Sequence, residues 1–452
     1  MSHRSQSIRR FSTAAVGALC LATLVKADEP IIDWSARERI GYDSYADKIR
    51  DSIRIDSAGR ITVAHNSERA LSESNGIRVK RISSDKGRIE WESFLYRRYH
   101  VTVHYDRMTF HNDMEVDGDG NIYFLGNFAP RYTVGPRSWV AYKLTASGTL
   151  LFEARGLTGN PTALAVHPDG RWVTSGLVPE SNGDQLRVAF HEPNNTSPTW
   201  WWRIAGGQAF ADSENDVAIA SDGSVFLSAT VGGTFRLIKF DSAGQKLWTH
   251  TLGNGYVRAR KVIALPDGGC ATLAEQSTTA TSDDVDVLVS RYDADGNLAW
   301  RRVHDGPNNL KDYAKDLFVD SSDNIWALVN SHRTADSTDI MMLRYSPTGD
   351  RSARKYTGAE GDSSWAEAFA VSDDGGTAYV VGYQKPLGGL KKSLVLKYQG
   401  FSKFKWAYAY NEDGKNYWAS DVAIERSGRA IVVGTRLHSN LTTAENFWFA
   451  IR

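Results

Sequence analysis

The chain has 452 residues, with 53 basic against 53 acidic side chains. That balance argues against a nucleic-acid partner, which needs a basic face, and against a polybasic membrane surface. Two cysteines, of which only Cys270 lies beyond the first thirty residues, exclude a disulfide-stapled fold.

Arg4, Arg9 and Arg10 precede a mildly apolar run from Phe11 to Val25, and Val25-Lys26-Ala27 offers a signal-peptidase site. This reads as a secretory signal over residues 1–27, with one mature domain over 28–452 and a secreted or periplasmic destination. The run is too short for a membrane span. Its removal takes away four basic residues and no acids, leaving 49 basic against 53 acidic side chains.

From there an internal repeat organises the chain. A short apolar strand enters an Asp/Ser-Gly turn and a second strand follows, most cleanly from Asp113, Asp216 and Asp421. The turn position recurs at Gly59, Gly120, Gly170, Gly223, Gly268, Asp323, Gly375 and Gly428, at intervals of 61, 50, 53, 45, 55, 52 and 53 residues. A second hairpin follows in each unit around Gly87, Gly244 or Gly296, and often leads to a Trp. Two hairpins per unit make a four-stranded antiparallel meander, and a period near fifty predicts a radial or solenoidal array. Trp91, Trp200, Trp248, Trp300 and Trp406 are then expected between adjacent sheets.

The last unit supplies strands over Val422–Val433 and Phe447–Ile451 but no fourth strand, whereas Pro30–Trp34 reads as an orphan fourth strand. Pairing the two closes the ring and removes its open edges. The expectation is an all-β, eight-bladed β-propeller closed by its N-terminal strand, with seven blades as the alternative. The units, with Asp113, Asp117, Gly120, Asn121 and Tyr123, then Tyr292, Asp293, Gly296 and Trp300 as examples, resemble the β-propeller repeats of bacterial secreted and cell-surface proteins. The resemblance covers nearly all of Asp51 to Arg452 and is structural in kind. The strand-turn-Trp geometry is also similar to the tryptophan-docked eight-bladed propellers of quinoprotein dehydrogenases and of the outer-membrane assembly lipoprotein. A quinoprotein alcohol dehydrogenase would carry a vicinal cysteine pair, which a lone Cys270 cannot supply. No cofactor is expected.

The first strand of a propeller blade lines the central channel. Seven residues before each turn position stand Ser52, Asp113, Ala163, Asp216, Lys261, Asp316 and Asp421, with Glu367 one step out of register in unit seven. These carboxylates and Lys261 would ring one channel mouth and hold a cation or a polar ligand, or each Asp would be taken up by local amides. Tyr313, Trp365 and Trp418 lie just upstream in three consecutive units. Flat rings beside carboxylates suit a sugar, with blade-to-blade packing as the plainer alternative.

Other features are weaker. His100 and His104, in a basic-aromatic stretch from Phe94 to Asn112, lack a third metal ligand. Asp117–Asn121 and Asp293–Asn297 begin like calcium loops but lack the closing Glu and sit where hairpin turns belong. No metal site is expected. In Trp200-Trp201-Trp202 one ring can dock while its neighbour faces oppositely, which leaves an exposed aromatic unless another element covers it. No nucleophile elbow, phosphate loop or zincin motif is present. The sequence reads as a monomeric binding or scaffold protein for a glycan, peptide or protein ligand. The alternative is a propeller enzyme acting on carbohydrate through the channel carboxylates.

Overall fold

Eight four-stranded antiparallel sheets make up the computed structural model, which describes residues 30–42, 52–68, 75–95, 107–129, 138–180, 185–205, 215–252, 256–277, 284–359, 361–411, 414–437 and 443–452. Seven sheets each take four consecutive strands. The eighth joins the strand Ile32–Tyr42 to the last three strands of the chain. The fold is an eight-bladed β-propeller, and the seven-bladed alternative falls. The innermost strands of blades 1 to 8 are Ser52–Ile55, Arg107–Val116, Asn160–Val166, Asn215–Ile219, Tyr256–Ala264, Asp312–Val319, Ser363–Val371 and Asn416–Ile424. The leader assignment over residues 1–27 lies outside the described residues.

The repeat glycines have a backbone reason. At Gly59, Gly120 and Gly428 φ is +78°, +79° and +80°, a region that L side chains avoid. Asp323 holds the equivalent position at φ +58°, which short polar side chains tolerate. The amide at this position bonds back to the carbonyl three residues earlier, as from Gly120 to Asp117 at 2.9 Å and from Asp323 to Asp320 at 2.9 Å.

Among the described residues, one apolar cluster fills each of the eight blade junctions. Trp34, Trp91, Trp200, Trp248 and Trp300 reach from the outer strand of one blade onto the second hairpin of the next. A Cβ added at Gly87, Gly148, Gly244, Gly296 or Gly349 would meet those rings at 2.3–2.8 Å, so each turn needs glycine for contact as well as for φ. The indole N–H groups of Trp34, Trp200, Trp248 and Trp300 donate to the carbonyls of Ser84, Ser242, Ala294 and Pro347 at 2.9–3.1 Å.

Closure follows the register that the orphan strand implied. Ile32 faces Ile451, Trp34 faces Ala450 and Ala36 faces Trp448. Ile31 and Arg452 exchange both backbone bonds, at 3.2 and 3.1 Å. The antiparallel meander places the start of every inner strand on one face, here the front, and the two glycine-bearing hairpin turns of blades 1 to 7, with the single one of blade 8, on the back.

Candidate functional site around the propeller axis

Strand register puts Ser52, Asp113, Ala163, Asp216, Lys261, Asp316, Ala368 and Asp421 at one level of the channel. Aspartate occupies blades 2, 4, 6 and 8, and the odd blades carry Ser, Ala, Lys and Ala. The alternation has a structural cause. Asp113 accepts the amides of Met114 at 2.9 Å and, in the next blade, Leu164 at 3.2 Å. Asp421 accepts Val422 at 2.9 Å and, across the ring closure, Ile53 at 3.1 Å. Asp216 takes Val262 of blade 5 at 2.9 Å, and Asp316 takes its own neighbour Leu317 at 2.9 Å. Three of the four carboxylates therefore clamp one inner strand to the next, satisfying amides that face the axis.

Glu367 stands apart from this ring. A bulge between Ala366 and Ala368 makes Ala368 the ring residue of blade 7 and displaces Glu367 toward the front. Lys315 occupies the matching bulge in blade 6, and the two pair at 2.7 Å.

Two cations hold the ring's charge. Arg54 lies 3.2 Å from Asp421, 3.0 Å from Glu115 and 3.9 Å from Asp113. Lys261 is held protonated by Asp216 first, against burial, with help from Asp316 and Asp113. Burial raises Asp216, Asp316 and Asp421, with Lys261 opposing it at the first two and Arg54 at the third. Asp113 rises to about 6, through burial first and then Glu115, with Lys261 and Arg54 opposing. Asp113 thus holds its proton more tightly than an ordinary carboxyl. Arg54 and Glu115 escaped the sequence reading. Each lies two residues beyond a ring position and so shares its strand face.

Tyr313, Trp365 and Trp418 occupy equivalent registers at the front ends of blades 6, 7 and 8, opposite Asn330, Tyr383 and Thr435. All three are half-buried. The rings of Tyr313 and Trp365 meet at 5.5 Å across the blade junction, and Lys315 lies 5.5 Å over Trp365. Among the described residues no ring–ring contact joins Trp418 to Trp365. Lys391, from the front loop of blade 7, lies 4.0 Å over Tyr383 and 5.8 Å over Trp418 and bridges the gap. Burial and then Glu367 push the Tyr383 hydroxyl up to about 12, so it stays a neutral donor. Among the described residues, neither the Tyr313 hydroxyl nor the indole N–H of Trp365 or Trp418 has a hydrogen-bond partner, and none of the three is sealed from solvent. Tyr383 and Lys391 were not legible as members of this arc, because cross-strand register and a loop supply them.

The remaining motifs resolve simply. His100, His104 and most of the basic-aromatic stretch lie outside the described residues. The calcium-like loops are hairpin turns: Asp117 accepts the amides of Asp119 and Asn121, and Asp293 that of Asn297. Trp201 is 46% exposed, with Arg187 and Arg203 over it at 4.4 and 5.3 Å, whereas Trp200 and Trp202 both pack on Phe240. One acidic group was not foreseen. Carboxylate oxygens of Asp284, Asp286 and Asp305, at the front of the blade 5–6 junction, lie within 4.8 Å of one another. Burial first, and then its acidic neighbours, raise Asp286. Among the described residues no helix is long and apolar enough to cross a membrane.

Neither a protein-family model nor a curated protein matches the chain. Among solved structures it is similar to an acylaminoacyl peptidase of Pyrococcus horikoshii, with 7% identity over 88% of this chain and 60% of that one, at a TM-score of 0.48. It is similar to prolyl oligopeptidase B from Galerina marginata, with 11% identity over 87% and 56% and a TM-score of 0.45. A Lactobacillus plantarum protein aligns at 16% identity over 71% and 92%, with a TM-score of 0.42. The chain spans little more than half the length of the prolyl peptidases it resembles. At identities and scores this low the likenesses carry no functional argument. What the fold itself provides is an axis at which a propeller can bind a ligand or perform catalysis.

Proposed function

We propose that this protein is an exported binding module that holds a saccharide chain or an extended peptide across the front of blades 6 to 8. The reading rests on one observation: Tyr313, Trp365 and Trp418 sit at the same register in three consecutive blades, half-buried, with their polar tips unpaired. A half-exposed aromatic offers a flat apolar face and a polar edge, the combination that sugar rings and peptide backbones use. Lys315, Glu367 and Lys391 supply charged hydrogen-bonding groups along the same arc. The export part rests on the basic and apolar pattern of residues 1–27. A glycan and peptide binding screen on the purified protein, repeated with Trp365→Ala and Trp418→Ala, tests the reading. Loss of binding with unchanged melting supports it, and binding that survives the double substitution overturns it.

A second reading is acid/base chemistry on carbohydrate. It is favoured by Asp113, which exchanges its proton near pH 6 beside Glu115 in the channel. A pair of carboxyls flanking the bond to be cut is what glycoside hydrolysis requires. The amide clamps on both Asp113 oxygens weigh against it. Hydrolysis of a bound saccharide that disappears in Glu115→Gln, with binding retained, would establish this reading.

A further inference from the structure

A recurring cation joins the blades on their back face, and one copy lacks its partner. On the third strand of several blades, a Lys or Arg lies opposite the aromatic of the fourth strand: Arg81 and Trp91, Lys143 and Phe152, Lys239 and Trp248, Arg291 and Trp300, Lys397 and Trp406. The first four reach into a hairpin turn of the following blade and donate there. Arg81 bonds the Ala146 carbonyl at 3.1 Å, and Lys143 the Asn194 side-chain oxygen at 2.8 Å. Lys239 bonds the Gly268 and Ala294 carbonyls at 2.9 and 3.2 Å, and Arg291 reaches the Asp323 carbonyl at 3.4 Å.

Lys397 makes no such bond: the first hairpin turn of blade 8 gives its Gly428 carbonyl to the Tyr379 hydroxyl at 2.9 Å, and a second turn is missing. Blade 8 has no turn between its third and fourth strands, because those strands are far apart in sequence and meet at Arg452 and Ile31. A cleft of about 760 Å³ occupies the vacated place, with Trp406, Lys397, Lys405 and Arg452 in its wall. The Lys397 ammonium has ring faces beneath it, Tyr379 at 5.3 Å and Trp406 at 5.8 Å, and among the described residues no hydrogen bond or ion pair. The acids nearest the closure are already taken. Glu425 pairs with Arg429 at 2.6 Å, and Asp33 pairs with Arg429 at 3.2 Å and Arg452 at 3.3 Å. Asp85 lines the cleft from the turn of blade 1.

We infer that this cleft is a binding site for a tetrahedral oxyanion, a phosphate or sulfate group, whose oxygens take the place of the missing turn carbonyls at Lys397. Lys405 and Arg452 supply further positive charge, and the side chains of Thr377 and Gln399 supply neutral donors. Burial first, then the positive charges of Lys405 and Arg452, lower the proton affinity of Lys397. An oxyanion with two or more cation contacts would form charge-assisted bonds there. The site lies on the back face and is independent of the aromatic arc.

Calorimetric titration of the full chain with inorganic phosphate and with sulfate, at ionic strength held constant with chloride, tests the inference. One saturable site is expected, and the anion that binds more tightly identifies the group preferred. Lys397→Met keeps the apolar stem on Trp406 and should weaken binding by about tenfold or more. Should that variant fold poorly, the unaltered protein gives a second readout. The bound anion should slow acetylation of Lys397 several-fold and leave exposed Lys246 in blade 4 unchanged. No saturable binding, equal binding by Lys397→Met, or acetylation of Lys397 indifferent to either anion would each overturn it.

Discussion

Two sets of tryptophans in this propeller have the same chemistry and opposite employment. At the rim, Trp34, Trp200, Trp248 and Trp300 press onto a turn of the next blade and commit the indole N–H to a backbone carbonyl. At the front, Trp365 and Trp418 pack one flank against a neighbour and leave the N–H without a protein partner among the described residues. A ring that presses one face onto a turn and commits its polar tip to a backbone carbonyl stabilises the fold. A ring that keeps its tip and part of a face open contributes less to stability and remains available to a ligand. The channel carboxylates belong with the rim set, because Asp113, Asp216 and Asp421 spend their oxygens on strand amides.

The comparison breaks most severely at ring closure. Deleting residues 30–42 removes a whole strand, the Trp34 dock and the apolar cluster shared by blades 8 and 1. The truncated chain should fail to give a cooperative thermal transition. A transition unchanged from the parent would mean that closure is incidental. Next in size is Trp300→Ala, at a residue 6% exposed, which should cost about 3–5 kcal/mol in denaturant unfolding. A loss under about 1 kcal/mol would remove the distinction between rim and front.

The clamps should register at a smaller scale. Asp421→Ala strips the amides of Ile53 and Val422 of their acceptor and should cost about 1–3 kcal/mol. Asp113 adds a pH signature. Its folded affinity for the proton, near pH 6, exceeds the ordinary carboxyl value near 4, so the folded state holds more protons between those limits. Its contribution to stability is therefore present below about pH 4 and is lost as pH rises toward 6. His191 and His304, both lowered to about 4 by burial, act oppositely in the same window, and Asp312, raised to about 6, acts with Asp113. The quantity to measure is thus the difference between the parent and Asp113→Asn. The parent should lose stability relative to the variant as pH rises, by at most about 1.4 kcal/mol per pH unit. A difference that is flat with pH would place Asp113 outside the network.

Much of this architecture was legible in the residues. The turn glycines carry their own backbone requirement, the Trp positions mark the junctions, and the orphan strand at Pro30–Trp34 announced the closure. The ring residues were also legible, since a fixed offset from a turn fixes strand register. Their employment was not, because Asp113 finds Leu164 and Asp421 finds Ile53 only once blades stand side by side. The bulge that removes Glu367 from the ring is equally silent in sequence, and so are Tyr383 and Lys391, which join the arc through a cross-strand partner and a loop. Lys397 could be seen as one of a series only after its counterparts were found bonded to turns.

The smallest expected effect on stability carries the largest on function, and it tests the central claim most directly. Trp365→Ala and Trp418→Ala should be combined and the protein measured twice, by thermal unfolding and by equilibrium binding to a saccharide or peptide selected in a screen. Unfolding is predicted to shift by no more than about 1–2 kcal/mol, while binding falls below detection. Loss of several kcal/mol, matching that of Trp300→Ala, would show that these rings are core and would contradict the account.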